Sequence, residues 1–256
     1  MLTTARNLYT AELLKLRRQR PLIAFTAFLT IGIVVILMGY LQLRYASNPS
    51  QYGPAGGIYG FTHLLRVLGV FFGALAAILV GTEAGTADLS SGVFRDLVAT
   101  GRSRLQLFIA RLPAALTISL GFTLAAYAVG LVGVFAFAGG TPTPTAGQVL
   151  DGAAWVALAN VILCGLAVGI GSLTGSRALT LTAVIGLETI VTQLIQNVPS
   201  LGFVRELLIN SSLFQLVPVG DGNGVGVAEG TAVAILIGWA LLPAMAGAWR
   251  TVTRDA

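Results

Sequence analysis

Six stretches of the chain are almost free of charge: Pro21 to Leu43, Tyr59 to Val80, Leu112 to Ala138, Gly152 to Leu173, Ala178 to Val198 and Thr231 to Ala248. Each approaches or exceeds the roughly 20 apolar residues that carry a helix, at ~1.5 Å per residue, across the hydrocarbon of a bilayer. Lipid offers the backbone no hydrogen-bond partner, so a spanning helix must satisfy its own amides. The pattern therefore predicts an all-α integral membrane protein with six transmembrane helices in one domain, residues 1–256, the spans lying at about 21–43, 59–80, 112–138, 152–173, 178–198 and 231–248.

The segments around these runs have patterns of their own. Leu2, Ala5, Tyr9, Leu13 and Leu16 recur at helical spacing, with Arg6, Glu12, Lys15 and Arg17 largely between them. This predicts an amphipathic interfacial helix over 1–20, the plainer alternative being a basic anchor. Residues 199–230 are too apolar for a solvated loop, with Phe203, Leu207, Leu208, Leu213, Phe214 and Leu216, yet Arg205, Glu206, Asn210 and Pro218 interrupt them. A pair of short helices, re-entrant in the outer leaflet or capping the bundle, fits that mixture.

Composition supports the membrane assignment: 55% of the 256 residues are hydrophobic, 10% are charged and the mean hydropathy is +0.86, whereas soluble domains carry roughly 25% charged residues. The first run exceeds the roughly 7–15 residues of a signal-peptide core, so it reads as a retained span. Threading the six spans alternately places Arg6, Lys15, Arg17, Arg18, Arg20, Arg95, Arg102, Arg104, Arg111, Arg177, Arg250 and Arg254 on one side, and only Arg44 and Arg205 on the other. The positive-inside rule then predicts that both termini and residues 82–104 are cytoplasmic, with Arg17, Arg18, Arg20, Arg104 and Arg111 as anchors. The net charge of +5 is thus explained by orientation, and no nucleic-acid partner is expected.

Several chemistries lack their residues. Cys164 and His63 are the only cysteine and histidine, so neither an intrachain disulfide nor a Cys/His zinc cluster can be assembled. The only lysine, Lys15, has no glycine-rich turn beside it, which excludes an ordinary P-loop. GSLTG at 171–175 is not a nucleophile elbow, and no second mid-membrane acid accompanies Glu188. No catalysis, metal or cofactor is expected in this chain.

The charged island TEAGTADLSSGVFRDLVATGRSR, residues 82–104, divides the second run from the third. Ser91 suits an N-cap, Val93, Phe94, Leu97 and Val98 form one apolar face of a two-turn helix, and Gly101 suits a left-handed stop. By itself this pattern fits equally a connecting hairpin or a docking element. The stretch GVFRDLVATGRSRLQLFIARLPAAL, Gly92 to Leu116, resembles the cytoplasmic signature of ABC type 2 permeases. Glu83 matches its acidic position, Gly92 its glycine, Arg95 its arginine, Leu97 its leucine, Ser103 and Arg104 its Ser-Arg pair and Arg111 its basic residue, while Val93 stands in place of a threonine. ELLKLRRQRP, Glu12 to Pro21, resembles the family's opening.

That resemblance implies a cytoplasmic coupling helix within Glu83 to Ala99, docking a separate ABC ATPase subunit through Glu83, Gly92, Phe94, Arg95, Asp96 and Leu97. It further implies ATP and magnesium in that partner, a second permease subunit, identical or related, and export of an amphipathic substrate; the arginine-, alanine- and glycine-rich composition points to a bacterial cell membrane. A secondary ion-coupled transporter and a non-transporting scaffold are the alternatives.

Within the spans, Glu188 carries a charge that costs at least about 2.5–3.5 kcal/mol at mid-membrane. Counting inward from the outer ends puts Arg66 roughly 10 Å and Glu188 roughly 15 Å deep. A polar lock of His63, Arg66 and Glu188 is one expectation; a static pair, or a snorkelling Arg66 beside a protonated Glu188, is the other. Gly69 with Gly73 and Gly165 with Gly169 have the spacing of close helix contacts, and Pro113 reads as a first-turn proline.

Overall fold

A computed structural model describes residues 2–99, 101–219 and 226–253, with the side chains of residues 2–5 left aside. Arg254 and residues 220–225 of the predicted re-entrant segment therefore lie outside the described residues, as do the side chains of Leu2 and Ala5 from the predicted apolar stripe. Among the described residues the protein is helical, with no β-sheet, and six helices are long and apolar enough to cross a membrane. An N-terminal helix, α1 (Leu2–Arg18), leads into α2 (Arg20–Ser47) and α3 (Gly57–Ser90). The short α4 (Val93–Ala99) precedes α5 (Arg104–Ala136), α6 (Ala146–Thr174) and α7 (Arg177–Gln196). Two short helices, α8 (Phe203–Glu206) and α9 (Ile209–Gln215), come before α10 (Glu229–Thr253).

The helices overrun the apolar runs because intrahelical hydrogen bonding does not stop at the edge of the hydrocarbon. α3 continues to Ser90, so residues 82–90 form its last turns rather than a loop, and Gly81 to Thr86 are buried. Ser91 is not an N-cap: its hydroxyl donates back to the Ala87 carbonyl at 2.7 Å, closing α3. Ser103 caps α5, its hydroxyl accepting the Gln106 amide at 3.2 Å, and with the helix starting at Arg104 Pro113 lies in its interior rather than its first turn. α6 opens on a reciprocal Thr145–Gln148 capping box and ends at Gly175 with φ +69°, a left-handed stop that glycine adopts without a Cβ clash.

Helices α3 and α6 form the centre of the bundle and pack most extensively on each other. Their approach depends on small residues. A Cβ on Gly81 would stand 2.5 Å from the Cys164 carbonyl oxygen, and one on Gly85 would stand 2.7 Å from that of Val168. Of the glycines singled out by spacing, only Gly169 marks a backbone crossing, against Pro243 and Gly247 of α10. Gly69 accommodates the Trp155 ring, Gly73 lies over the Leu68 carbonyl of its own helix, and Gly165 meets only the tip of Leu112.

Three spans contain a wide, π-helical turn: Phe28–Gly32 in α2, Val67–Phe71 in α3 and Gly186–Val191 in α7. Each adds a residue to the turn and so rotates the remaining length of the helix about its own axis. At one end of the bundle the connecting loops pair, Gly56 donating to the Phe137 carbonyl at 3.0 Å and Ile58 to that of Pro142 at 2.9 Å. The short helices fold back onto the spans, where Trp155 Nε1 donates to the Leu213 carbonyl at 2.7 Å and Trp239 Nε1 to that of Leu207 at 2.8 Å. α1 lies against α5, with Leu16 fully buried and the Tyr9 hydroxyl 3.0 Å from that of Thr117.

Candidate functional site

The opposite end of the bundle gathers the charges that divided the apolar runs. Asp88, on the last turns of α3, bridges two cations: Lys15 Nζ of α1 lies 2.8 Å from Oδ1, and Arg111 Nη2 of α5 lies 3.4 Å from Oδ2. Lys15 also pairs with Glu12 at 2.5 Å, one turn earlier on α1. Arg111 donates from Nη1 to the Ser172 hydroxyl of α6 at 3.2 Å, and that hydroxyl donates to the Gly85 carbonyl of α3 at 3.4 Å. The guanidinium carbon lies 5.7 Å from the centre of the Phe94 ring, the one buried side chain of α4. A single hub thus ties α1, α3, α4, α5 and α6 together.

Arg111 is the centre of that hub, at 0% exposure. The expectation of a headgroup anchor is corrected: about two turns inside α5 its side chain points into the bundle, where the Asp88 carboxylate supplies the counter-charge that makes burial tolerable. Two positive and two negative groups, Lys15, Arg111, Glu12 and Asp88, balance. Arg17, Arg18 and Arg20 are exposed. Arg104 donates to the Val252 carbonyl at 3.2 Å and so joins the ends of α5 and α10.

The predicted docking residues separate into two groups. Gly92, Arg95 and Asp96 are exposed and Leu97 is half-buried, while Phe94 turns inward onto Arg111. Glu83 is buried on α3 and paired with Arg177 of α7 at 3.2 Å, so it braces two spans rather than facing outward. Gly92, at φ +75°, makes the reversal between α3 and α4. Asp88, Ser172, Glu12 and Lys15 were missed as partners of this site. A signal was present: Arg111 in the apolar context LFIARLPAAL needs a counter-charge, and Asp88 is the acid at the end of the preceding span.

Glu12 should make the docking of α1 pH-dependent. Burial, aided by Asp88, raises its pKa above the ordinary 4.5, against the opposing pull of Lys15 and Arg111. Between the unfolded and the raised folded value the native protein holds the extra proton, so stability falls as pH rises through that window. Hydrogen exchange of α1 is expected to quicken relative to α6 as pH rises above the ordinary glutamate value, after correction for intrinsic rates, and to lose this extra pH dependence in Glu12→Gln.

The structure does not bring His63, Arg66 and Glu188 together. The His63 ring lies 4.3 Å from that of Tyr59, and none of the ion pairs of the described residues includes Arg66 or Glu188. Glu188 instead sits in the wide turn of α7, buried, with Oε1 lacking a hydrogen-bond partner, and the α3 residues lining its surroundings begin at Val70, a turn beyond Arg66. Arg66 precedes the wide turn of α3 whereas Glu188 borders the stretch of α3 from Val70 onward, so the pair expected from depth does not form. Comparison with protein-family models and with curated proteins yields no match to this chain.

Proposed function

We propose that this multi-pass membrane protein is the permease subunit of an ATP-driven transporter of the ABC type 2 kind, acting with a separate ATPase subunit and a second permease chain, identical or related. The basic end faces the cytoplasm of a bacterial cell, both termini lie on that side, and the cargo is an amphipathic molecule carried outward. ATP and magnesium belong to the partner. The observation that carries this reading is how α4 is mounted.

A helix of seven residues does not persist alone in water. α4 is anchored by Phe94 on Arg111, and Arg111 is bonded to α3 and α6 and, through Asp88 and Lys15, linked to α1. Force applied to its exposed Val93, Arg95 and Asp96 is therefore delivered to several spans at once. That is what a coupling element needs: an outer face for a partner and a rigid connection inward.

Arg95→Glu/Asp96→Arg reverses the outer charges without touching the buried ring. Pull-down of the tagged protein from gently solubilised native membranes should retain an ATP-hydrolysing subunit with wild type and lose it by at least about tenfold with the variant, at unchanged thermal stability. Absence of any ATPase from the wild-type complex, under conditions that preserve other membrane complexes, would overturn the reading. Flux driven by an ion gradient without ATP would then favour a secondary carrier, and no flux a scaffold.

A further inference from the structure

Glu188 borders a cleft of about 390 Å³ between α3 and α7, with Asn210 of α9 also in its wall. Both flanking spans have their wide turns here, Val67–Phe71 and Gly186–Val191, and the turn in α7 places Glu188 on the face toward α3. The walls are apolar and aromatic, with Phe71, Phe72 and Leu75 from α3. Four polar side chains line it: Glu188, Thr189 and Gln193 from α7, and Asn210 from α9.

Two of these polar groups are unsatisfied. Glu188 is 8% exposed and Asn210 3%, and Glu188 Oε1 and Asn210 Oδ1 are both shielded from solvent without a hydrogen-bond donor. Native proteins rarely leave buried acceptors in this state, and one that is charged is the costlier case. Both orphaned atoms are acceptors and one belongs to an acidic side chain, so a cation bearing N–H bonds would satisfy both. Among the described residues no three His, Cys, Asp or Glu side chains come together, so the donor set is too poor for calcium or zinc. An ammonium needs only these two acceptors, and the neighbouring aromatic faces attract it further.

We propose that this cleft binds a protonated amine carried on an apolar body, its N–H groups donating to Glu188 and Asn210 and its body lying along the α3 wall. The volume falls in the range of roughly 300–1,000 Å³ typical of small-molecule pockets. Phe71, Thr189 and Gln193 are exposed at its rim, so the cleft opens sideways along α3 and α7 rather than into the core of the chain. Thr189 and Gln193 are ill suited to lipid and suit a water-lined path between two subunits. The cleft's role as a cargo site rests on the proposed function, whereas binding of the amine does not.

The test uses the full chain in nanodiscs of zwitterionic lipid, with empty nanodiscs as the partition reference, and measures saturable binding of radiolabelled dodecylammonium. Dodecyltrimethylammonium, which has no N–H, and neutral dodecanol serve as competitors. Wild type is expected to prefer dodecylammonium over either by about tenfold or more, and Glu188→Gln to erase most of that preference. Asn210→Leu should weaken it in the same sense, while Asp151→Asn, on the exposed end of α6, should leave it unchanged. Equal competition by dodecanol or by the trimethyl compound, or an unaltered preference in Glu188→Gln, would overturn the proposal; should that variant not fold, the wild-type competition series decides. A missing ATPase would leave this site standing, and a failure of amine binding would leave the coupling reading standing.

Discussion

Replacing Arg111 with methionine is expected to destabilise the protein by about 3–5 kcal/mol, the cost of leaving a buried carboxylate without its partner. Asp88 is 5% exposed and would keep only Lys15, whose side chain is partly exposed and already shared with Glu12. Ser172 would lose its donor from Arg111, and Phe94 the cation over its ring. Arg111→Lys keeps the charge but not the planar fork that reaches Asp88 and Ser172 together, so an intermediate loss is expected. The double variant Asp88→Asn/Arg111→Met should lose less than the two single effects summed, because the second change removes a charge already stranded by the first. Denaturant unfolding of the purified protein, followed by tryptophan fluorescence, gives the three numbers; strict additivity would show that the pair is not coupled. Loosening of α4, seen as faster proteolysis after Arg95 or Arg102, should accompany the loss.

Gly169→Ala should force α6 away from α10. The new Cβ would stand 2.5 Å from the Pro243 carbonyl oxygen and 2.8 Å from the Ala244 amide nitrogen, and these are backbone atoms that no rotamer change can move. Overpacking a core by a single methyl costs about 1–3 kcal/mol, and Gly169→Val should cost more. Gly247 meets Gly169 from the other side, with a Cβ placed there 2.5 Å from the Gly169 carbonyl oxygen, so Gly247→Ala should act in the same direction. Gly121→Ala is the control: nothing lies within 4 Å of its Cβ, and helix propensity predicts a gain of up to about 1 kcal/mol. Unfolding midpoints of the four variants, with the fraction eluting as a monodisperse species, would show the ordering. Equal effects of Gly169→Ala and Gly121→Ala would mean that the α6–α10 crossing is not tight.

The six spans were legible because a backbone in lipid must be a helix about 20 apolar residues long, and that demand is written in composition alone. Glu188 was legible as a problem, since a charge among apolar residues requires an explanation wherever the helix turns. Its surroundings were not. The expected match with Arg66 assumed regular helices, and the wide turns of α3 and α7 re-aim side chains with no apolar period to announce them. Phe94 illustrates the same limit on a shorter scale. The apolar spacing of α4 does not say which of its residues meets a partner and which its own protein; Phe94 turns inward onto Arg111 while Val93 of the same face is exposed.

Arg111 shows why the remainder had to wait for three dimensions. In sequence its apolar context LFIARLPAAL asks for a counter-charge without saying which acid supplies it; in the fold Arg111 is fully buried while Arg17 and Arg20 are exposed. By itself the sequence determined the number of spans, the side on which positive charge accumulates and the absence of a P-loop lysine, because each is a property of residues counted along the chain. The tertiary structure alone decided which charges pair, which glycines lie at crossings and which acceptors are left open. Those depend on how each helix is rotated about its axis, and rotation is set by packing between segments far apart in the chain.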